Sequence, residues 1–180
     1  MNQCDFPVGL YDKDDQQADL RDTNSWTMEM GEISTVEVME CHYINTFAPW
    51  IIISEFKSLM LQTNSPSDKY IVNVSAMEGQ FYRRKSNSHP HTNMAKAALN
   101  MMTRTVASGF SEISIFMTAV DTGWITDELP VHQWANRMDN PPPLDELDAA
   151  MRVLDPVLMG VSGQEKMWGV FLKNYRATRW

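Results

Sequence analysis

The chain has 180 residues, 43% of them hydrophobic and 21% charged, which is enough for one ordinary core and favours a single domain. Its formal net charge of -8 argues against binding to nucleic acid or to an anionic membrane surface. The longest apolar run is too short for a membrane-spanning helix, and the acidic N-terminus is unlike a secretory or transit peptide. Since its two cysteines are too few for a disulfide framework, we expect an intracellular protein of a reducing compartment.

Residues 1–34 are the first predicted segment. They show no sustained hydrophobic period and are rich in Asp, Asn and Gln. Such a segment has too few periodic apolar residues to pack as a helix or a strand. We therefore predict an irregular, acidic and mostly solvated arm over residues 1–34, followed by the folded domain at 35–180.

A long helical region begins at Thr35. Apolar residues recur there at three- and four-residue spacing, and Ser34 with Glu37 forms a capping box at its start. Pro49 lies within this region, where it removes one helical hydrogen bond and clashes with the preceding turn. We expect a kink or two abutting helices there, and then a surface turn at 64–67.

A strand and a second helix come next. Tyr70–Ser75 is a short, nearly continuous apolar run, which is typical of a strand buried on both faces of a parallel sheet. A polar, basic loop at 80–91 leads into a run of helix formers at 93–108, and Gly109 is the expected stop.

The last third of the chain continues the alternation. The pattern predicts a strand at 113–120, a turn at 121–123, a helix at 144–158 behind a run of prolines, and a strand at 168–172. Strands that alternate with helices indicate an α/β fold with a parallel sheet.

Four short motifs, in this order along the chain, resemble the short-chain dehydrogenase/reductase family. They are Asn45–Pro49 in the long helix, Ile71–Ser75 before a glycine, Lys96–Leu99 in the second helix and Val120–Trp124 after the next strand. The resemblance covers roughly residues 20–175. It implies a partial Rossmann-like, doubly wound parallel sheet with flanking helices.

The resemblance also implies a kind of chemistry. Members of this family use a tetrad of Asn, Ser, Tyr and Lys together with NAD or NADP. The tyrosine is the general acid or base, because a nearby lysine ammonium favours its anion. The serine positions the reacting oxygen, the asparagine holds a water, and the lysine also binds the nicotinamide ribose.

Only half of that tetrad is present here. Asn45 matches the asparagine and Lys96 the lysine, whereas Thr92 occupies the tyrosine position and Ala76 the serine position. A threonine hydroxyl is a far weaker acid than a phenol and has a shorter reach. Ser75 precedes Ala76, and it substitutes for the serine only if the end of the strand shifts.

Two replacements for the missing tyrosine are open at this stage. Tyr82 lies in the basic loop and folds back over the site in one hypothesis, whereas the plainer interpretation is an exposed loop tyrosine. His89 and His91 flank Pro90, and histidine is an acid or base near neutral pH. The histidines show no spacing typical of a metal site, and we predict none.

The match to a cofactor site is also partial. In the resemblance, Ile125 and Thr126 contact the cofactor beside Lys96. The family begins with a strand and a glycine-rich turn that holds the cofactor pyrophosphate. Gly9 and Gly31 have neither the spacing nor the preceding strand of that turn. We therefore expect no cofactor, or NAD or NADP only if the missing N-terminal half is supplied.

Without the N-terminal strands of the family, Tyr70–Ser75 becomes an exposed sheet edge, which proteins normally cover. The acidic arm, a second copy or a separate protein partner is expected to cover it, unless the chain is a fragment. We therefore expect a catalytically impaired, dehydrogenase-like interaction subunit. The alternative is an NAD(P)-dependent oxidoreductase of carbonyls or alcohols that is active with its other half, and a histidine-dependent metallohydrolase has little support.

Overall fold

A computed structural model describes residues 5–12, 15–62, 67–135 and 141–180 of the protein. The predicted surface turn at 64–67 lies mostly outside the described residues. In chain order the regular elements are α1 (Thr35–His42), a π-helical turn (Tyr43–Phe47), α2 (Ala48–Leu61), β1 (Lys69–Ser75), a short 3-10 turn (Met77–Gly79), α3 (Pro90–Ser111), β2 (Ile115–Asp121), α4 (Val131–Ala135), α5 (Glu146–Val161), β3 (Phe171–Lys173) and β4 (Arg176–Thr178).

The four described strands form one sheet in the order β1-β2-β3-β4. The first three strands are parallel, and β4 returns antiparallel to β3. Side chains of β1 alternate between two helical layers. Asn73 and Ser75 contact α3, whereas Tyr70 lies against Gly160 of α5. The predicted α/β class with a partial, doubly wound parallel sheet is therefore confirmed.

The long helical region begins where the sequence indicates. The Ser34 hydroxyl accepts a hydrogen bond from the Glu37 backbone N–H, at 3.2 Å, and caps α1. The expected break is the π-helical turn between α1 and α2, and Pro49 is the second residue of α2. The chain stays helical through Phe47 and Ala48, so Pro49 removes one backbone donor within a continuous helical run, and the π-helical turn is the irregularity beside it.

Helix α3 is longer than the sequence pattern predicts. It begins at Pro90, and it continues past Gly109 to Ser111, so the prediction of a stop at Gly109 was wrong. A glycine ends a helix by adopting a positive φ, and Gly109 does not have one; Ser114, beyond the helix, does, with φ +58°.

The core lies around β2 rather than β1. All seven residues of β2 are buried, whereas β1 has only Asn73 and Ser75 buried and leaves Val74 exposed. The expectation that Tyr70–Ser75 is buried on both faces was therefore wrong. The reason is that β1 is an edge of the described sheet, since only β2 pairs with it.

No helix or named strand lies in the described part of residues 1–34, and parts of this arm dock on the rest of the chain. Ala18 and Asn24 are buried, and the Trp26 ring stacks on the His89 ring with centroids 4.0 Å apart. The His89 backbone N–H also donates to the Met28 carbonyl oxygen, at 2.9 Å. These contacts fasten the arm to the start of α3. None of the described helices has the length and apolar character needed to cross a membrane.

Candidate functional site

The candidate site is a cavity of about 780 Å³ at the carboxyl ends of β1, β2 and β3. The strand ends place Ser75, Asp121 and Lys173 in its wall, and α3 adds Thr92 and Lys96. Ligand sites of open α/β sheets lie in this position, because the loops that follow the strands are free to vary there.

Lys96 is the most distinctive group of the α3 wall. Its ammonium donates to the carbonyl oxygen of Val74, at 3.1 Å. Burial lowers the pKa of Lys96, an effect that the nearby Cys41 and Glu78 only partly offset. The amine therefore loses its proton more readily than an exposed lysine does.

Ser75 lines the cavity but has a structural partner. Its hydroxyl donates to the side-chain oxygen of Asn100, at 2.6 Å, and the Asn100 amide donates to the Gly79 carbonyl oxygen, at 3.1 Å. Both side chains are buried. This hydroxyl is therefore engaged in joining β1 to α3, and Ala76 next to it in the cavity wall offers no hydroxyl.

Thr92 faces the cavity at the position expected for the tyrosine. Its hydroxyl oxygen lies 4.0 Å from the Cys41 sulfur and 3.5 Å from His91 Nε2, both at the outer limit of hydrogen bonding. Asn45 is set back from the cavity wall, and its amide donates to the Cys41 carbonyl oxygen at 2.9 Å in the π-helical turn. The structure thus gathers Asn45, Thr92 and Lys96 into one region, and it adds Cys41.

Cys41 was missed by the sequence analysis. The available signal was its position four residues before Asn45, which places both on the same side of a helix. Its contact with Thr92 depends on how α1 packs on α3. The hydrophobic periodicity of the sequence does not predict that packing.

An ion pair also lies in the cavity wall, at the carboxyl ends of β2 and β3. Asp121, at the end of β2, is buried and pairs with the ammonium of Lys173, at the end of β3. The other Asp121 oxygen accepts the Gly123 backbone N–H at 2.8 Å, and Gly123 turns the chain with φ +86°. Sequence analysis placed Asp121 in this turn but gave no reason to select Lys173.

The loop after β2 brings Ile125 and Thr126 into the cavity wall. Both were predicted as cofactor contacts from the resemblance. This loop and α3, which carries Lys96, therefore supply different walls of one cavity. Contact with a cofactor stays a prediction.

The arm supplies a further wall, which the sequence analysis did not expect. Arg21, Asn24 and Trp26 line the cavity. The Asn24 amide donates to the Glu128 carbonyl oxygen at 2.8 Å, and the Val131 N–H donates to the Asp19 carbonyl oxygen at 2.9 Å. The arm therefore joins the start of α3 to the loop after β2 across the cavity.

The proposed replacements for the tyrosine lie outside the cavity wall. Tyr82 is exposed beside Arg83, whose guanidinium lies 5.2 Å from the centre of the tyrosine ring. His89 is stacked on Trp26, and its Nδ1 lies 2.9 Å from the Trp26 carbonyl oxygen. His91 is buried, and burial lowers its pKa, with Glu37 acting in the opposite direction. Within the described ranges no three His, Cys, Asp or Glu side chains are grouped as metal ligands.

The charges of the cavity are largely balanced within the protein. Arg21 is held by Asp19 through two hydrogen bonds of 2.8 and 2.7 Å, and Lys173 is held by Asp121. Besides Lys96, the cavity wall contains three further carboxylates, which belong to Glu78, Asp127 and Glu128. The cavity is therefore not an attractive site for a polyanion.

Comparison with solved structures places the fold among short-chain dehydrogenases/reductases, as the motifs indicated. The chicken fatty liver carbonyl reductase with bound NADPH has a TM-score of 0.62 and 20% identity, over 89% of this chain and 64% of that chain. The Sniffer carbonyl reductase of D. melanogaster has a TM-score of 0.64 and 15% identity, over 92% and 64%. A putative short-chain dehydrogenase/reductase of Burkholderia multivorans with bound NADP has a TM-score of 0.61 and 22% identity, over 88% and 62%.

A sequence relative is an uncharacterised protein of Acanthamoeba polyphaga mimivirus. It is 31% identical over 172 residues, which are 91% of this chain and 36% of the viral protein. The chain thus spans about a third of that relative and less than two thirds of the similar structures. No family model matches the sequence.

The resemblance raises the question of a nicotinamide dinucleotide. Lys96, Ile125 and Thr126 line one cavity, and their contact with the nicotinamide end of such a cofactor stays a prediction. For the pyrophosphate, a glycine-rich turn at a helix N-terminus is needed. In the described part of the arm, Gly9 and Gly31 have open space around them and follow no strand. The described residues alone therefore do not make a dinucleotide site.

Proposed function

We propose that this chain is a short-chain dehydrogenase-like subunit of a larger assembly, in which it serves in packing and interaction and is impaired in tyrosine-dependent hydride transfer. The observation that carries the proposal is the exposed apolar surface of α2. None of its residues, all of which the structure describes, is buried in this chain. Yet six of its large apolar side chains are 46–56% exposed, namely Trp50, Ile51, Ile52, Phe56, Leu59 and Leu61.

A helix that is apolar all round is normally buried on all sides. The exposed apolar surface continues along the preceding turn and α1, through Val36, Met39, Tyr43, Ile44 and Phe47. A contiguous surface of this kind indicates an interface. A second such surface is the outer edge of β1, which pairs with no strand other than β2 in the part of the chain that the structure describes. We infer that a partner protein or a second copy covers both surfaces.

The cavity supports the catalytic part of the proposal. Thr92 and Ala76 stand where the resemblance requires a tyrosine and a serine. Ser75 bonds to Asn100, and Tyr82 lies outside the wall. Among the described residues that line the cavity, no phenol is available as an acid for a carbonyl oxygen.

The placement of Lys96 favours a second candidate function. Its amine shares one cavity with Ile125 and Thr126, which is the arrangement the resemblance implies for the nicotinamide end of a cofactor. Two of the similar structures hold NADPH or NADP. In this alternative, a companion polypeptide supplies the glycine-rich half, and the complex is an NAD(P)-dependent oxidoreductase of carbonyls or alcohols. The free thiol of Cys41 suits a reducing, intracellular setting in either case.

The two functions are separated by native mass spectrometry of the assembly from its source, followed by titration with NADPH and NADH. The proposal expects a stable complex that binds neither nucleotide. Tight binding in a complex whose partner carries a glycine-rich turn would favour the oxidoreductase, and Lys96→Ala should then weaken that binding. A monomer without a partner would contradict both functions.

A further inference from the structure

Three lysines at or beside the cavity differ in what holds their ammonium groups. Lys173 is paired with the buried carboxylate of Asp121. Lys85, in the neighbouring loop, donates to the carbonyl oxygens of Met77 and Glu78, both at 2.7 Å. Lys96 has a single hydrogen-bond acceptor among the described residues, the Val74 carbonyl oxygen at 3.1 Å. Of the three, Lys96 therefore has the fewest hydrogen-bond acceptors among the described residues.

The surroundings of Lys96 add to this difference. Its amine lies in the wall of the cavity and is half-buried; none of the described carboxylates forms a salt bridge with it, and Glu78 acts on it only from a distance. Loss of hydration disfavours an ammonium ion unless a carboxylate compensates for it. A neutral amine in a cavity is a nucleophile, which is how lysines that form Schiff bases are activated. The tyrosine whose anion such a lysine would stabilise is replaced by Thr92, so Lys96 is free for another role.

We propose that Lys96 is a nucleophilic amine that captures uncharged aldehydes in this cavity as an imine. The Lys96 nitrogen forms a bond to the aldehyde carbon, and the carbonyl π electrons move to the oxygen. The nitrogen gives up a proton and the oxygen gains one, which yields a carbinolamine. The hydroxyl oxygen then takes up a second proton, and the C–O bond breaks with loss of water as the nitrogen lone pair forms the C=N bond. The nitrogen gives up its remaining proton, so the products are the neutral imine and water. No oxidant or reductant is consumed, and hydrolysis reverses the reaction.

The lining of the cavity indicates which aldehydes fit. Arg21 and Lys173 are already neutralised, and the remaining carboxylates disfavour an anionic ligand. Trp26, Met77 and Trp124 present apolar and aromatic surface to the same space. An uncharged aldehyde with an apolar or aromatic body is therefore the expected class. This inference goes beyond the proposed function, since it requires neither an assembly partner nor a nucleotide.

The test treats the purified chain with benzaldehyde and sodium cyanoborohydride, which reduces an imine to a stable secondary amine. Peptide mass spectrometry then gives the rate of modification at each lysine. We expect Lys96 to react at least about ten times faster than Lys85 and Lys173. The half-maximal rate at Lys96 should also come at a lower pH than is ordinary for a lysine side chain, because burial lowers the pKa of Lys96.

Two variants complete the test. Lys96→Arg keeps the positive charge but cannot form an imine, and it should lose the fast modification while its circular dichroism stays that of the folded chain. Lys85→Arg is the matched control and should leave the rate at Lys96 unchanged. Equal rates at Lys96 and the exposed lysines, or faster modification at Lys85, would overturn the proposal. Absence of modification at Lys96 in the folded chain would overturn it as well.

Discussion

At the scale of single residues, the closest backbone approach near the site involves Gly79. A Cβ at this position would lie 2.6 Å from Asn100 Nδ2 and 2.7 Å from the carbonyl carbon and oxygen of Lys96. These distances are shorter than any ordinary contact, and two of the three atoms belong to helix backbone that cannot rotate away. Only glycine lets the turn after β1 lie against α3.

We therefore predict that Gly79→Ala lowers the free energy of unfolding by about 1–3 kcal/mol, as overpacking does. Gly109→Ala is the matched control. It lies in α3 with nothing within 4 Å of its Cβ position, and alanine is the better helix former there by roughly 1 kcal/mol. Urea unfolding followed by circular dichroism should move the two midpoints in opposite directions, and a stabilised Gly79→Ala chain would contradict this account.

Ser75 provides a second prediction, about whether its hydroxyl is structural. Ser75→Ala leaves the buried Asn100 oxygen without its 2.6 Å donor, which should cost about 1–3 kcal/mol of unfolding free energy. Ser108→Ala on the exposed side of α3 removes a hydroxyl without this loss and serves as the control. If both variants unfold at the wild-type urea concentration, the Ser75 hydroxyl is not needed for the fold.

At the scale of elements, the docked arm is held by a charge pair as well as by stacking. Asp19 binds Arg21 through both carboxylate oxygens and also receives a bond of 3.4 Å from the Asn24 amide. Burial would raise the pKa of Asp19, but its bonds and its proximity to Arg21 outweigh burial and lower it below 3.8. The carboxylate form is thus the one that the folded arm prefers.

The sign of the pH effect follows from this shift. Because the folded pKa is below the unfolded value of 3.8, the stabilisation is full above that value and is lost as the pH falls through the folded pKa. Arg21 is more than a third exposed, so we expect only roughly 0.5–1 kcal/mol. Asp19→Asn should differ from wild type by this amount at pH 7, and the difference should shrink as the pH falls below 3.8 and through the folded pKa of Asp19.

Thermal unfolding at several pH values measures this difference. Asp22→Asn removes a carboxylate from the same arm and is the control; it should not reproduce the pH-dependent difference. A difference between Asp19→Asn and wild type that grows as the pH falls would contradict the assignment.

At the scale of the whole molecule, the proposed interface on the apolar surface of α2 can be tested by substitution. Ile52 is 56% exposed on this surface, whereas Leu147 is 66% exposed on α5. We predict that Ile52→Glu weakens the assembly by about ten- to a hundredfold in Kd, or about 1.4–2.8 kcal/mol, because a charge would be buried at the interface. Leu147→Glu should leave the assembly intact.

Sedimentation velocity over a range of concentrations measures both variants against wild type. Equal dissociation constants for Ile52→Glu and wild type would show that α2 lies outside the interface. Dissociation by Leu147→Glu instead would move the interface to α5.

Part of the site was predictable from the sequence, because it depends on the 3.6-residue period of a single helix. Thr92 and Lys96 are four residues apart, so any helix that contains both presents them on one side. Ser34 and Glu37 likewise determine the start of α1 within one turn. The stop at Gly109 was predicted wrongly, because glycine permits a helix end but does not require one.

The sequence by itself determined the alternation of helices and strands, the resemblance that identifies the fold, and the placement of Thr92 and Lys96 on one side of a helix. Each of these depends on residues close together in the chain. Only the tertiary structure decided that the arm forms a wall of the cavity, that Cys41 meets Thr92, and that Lys173 pairs with Asp121, whereas among the described residues the Lys96 ammonium donates only to the Val74 carbonyl oxygen. Asp121 and Lys173 are 52 residues apart. Such contacts arise from the register of β2 with β3 and the packing of α1 on α3, which depend on the whole core rather than on any local pattern.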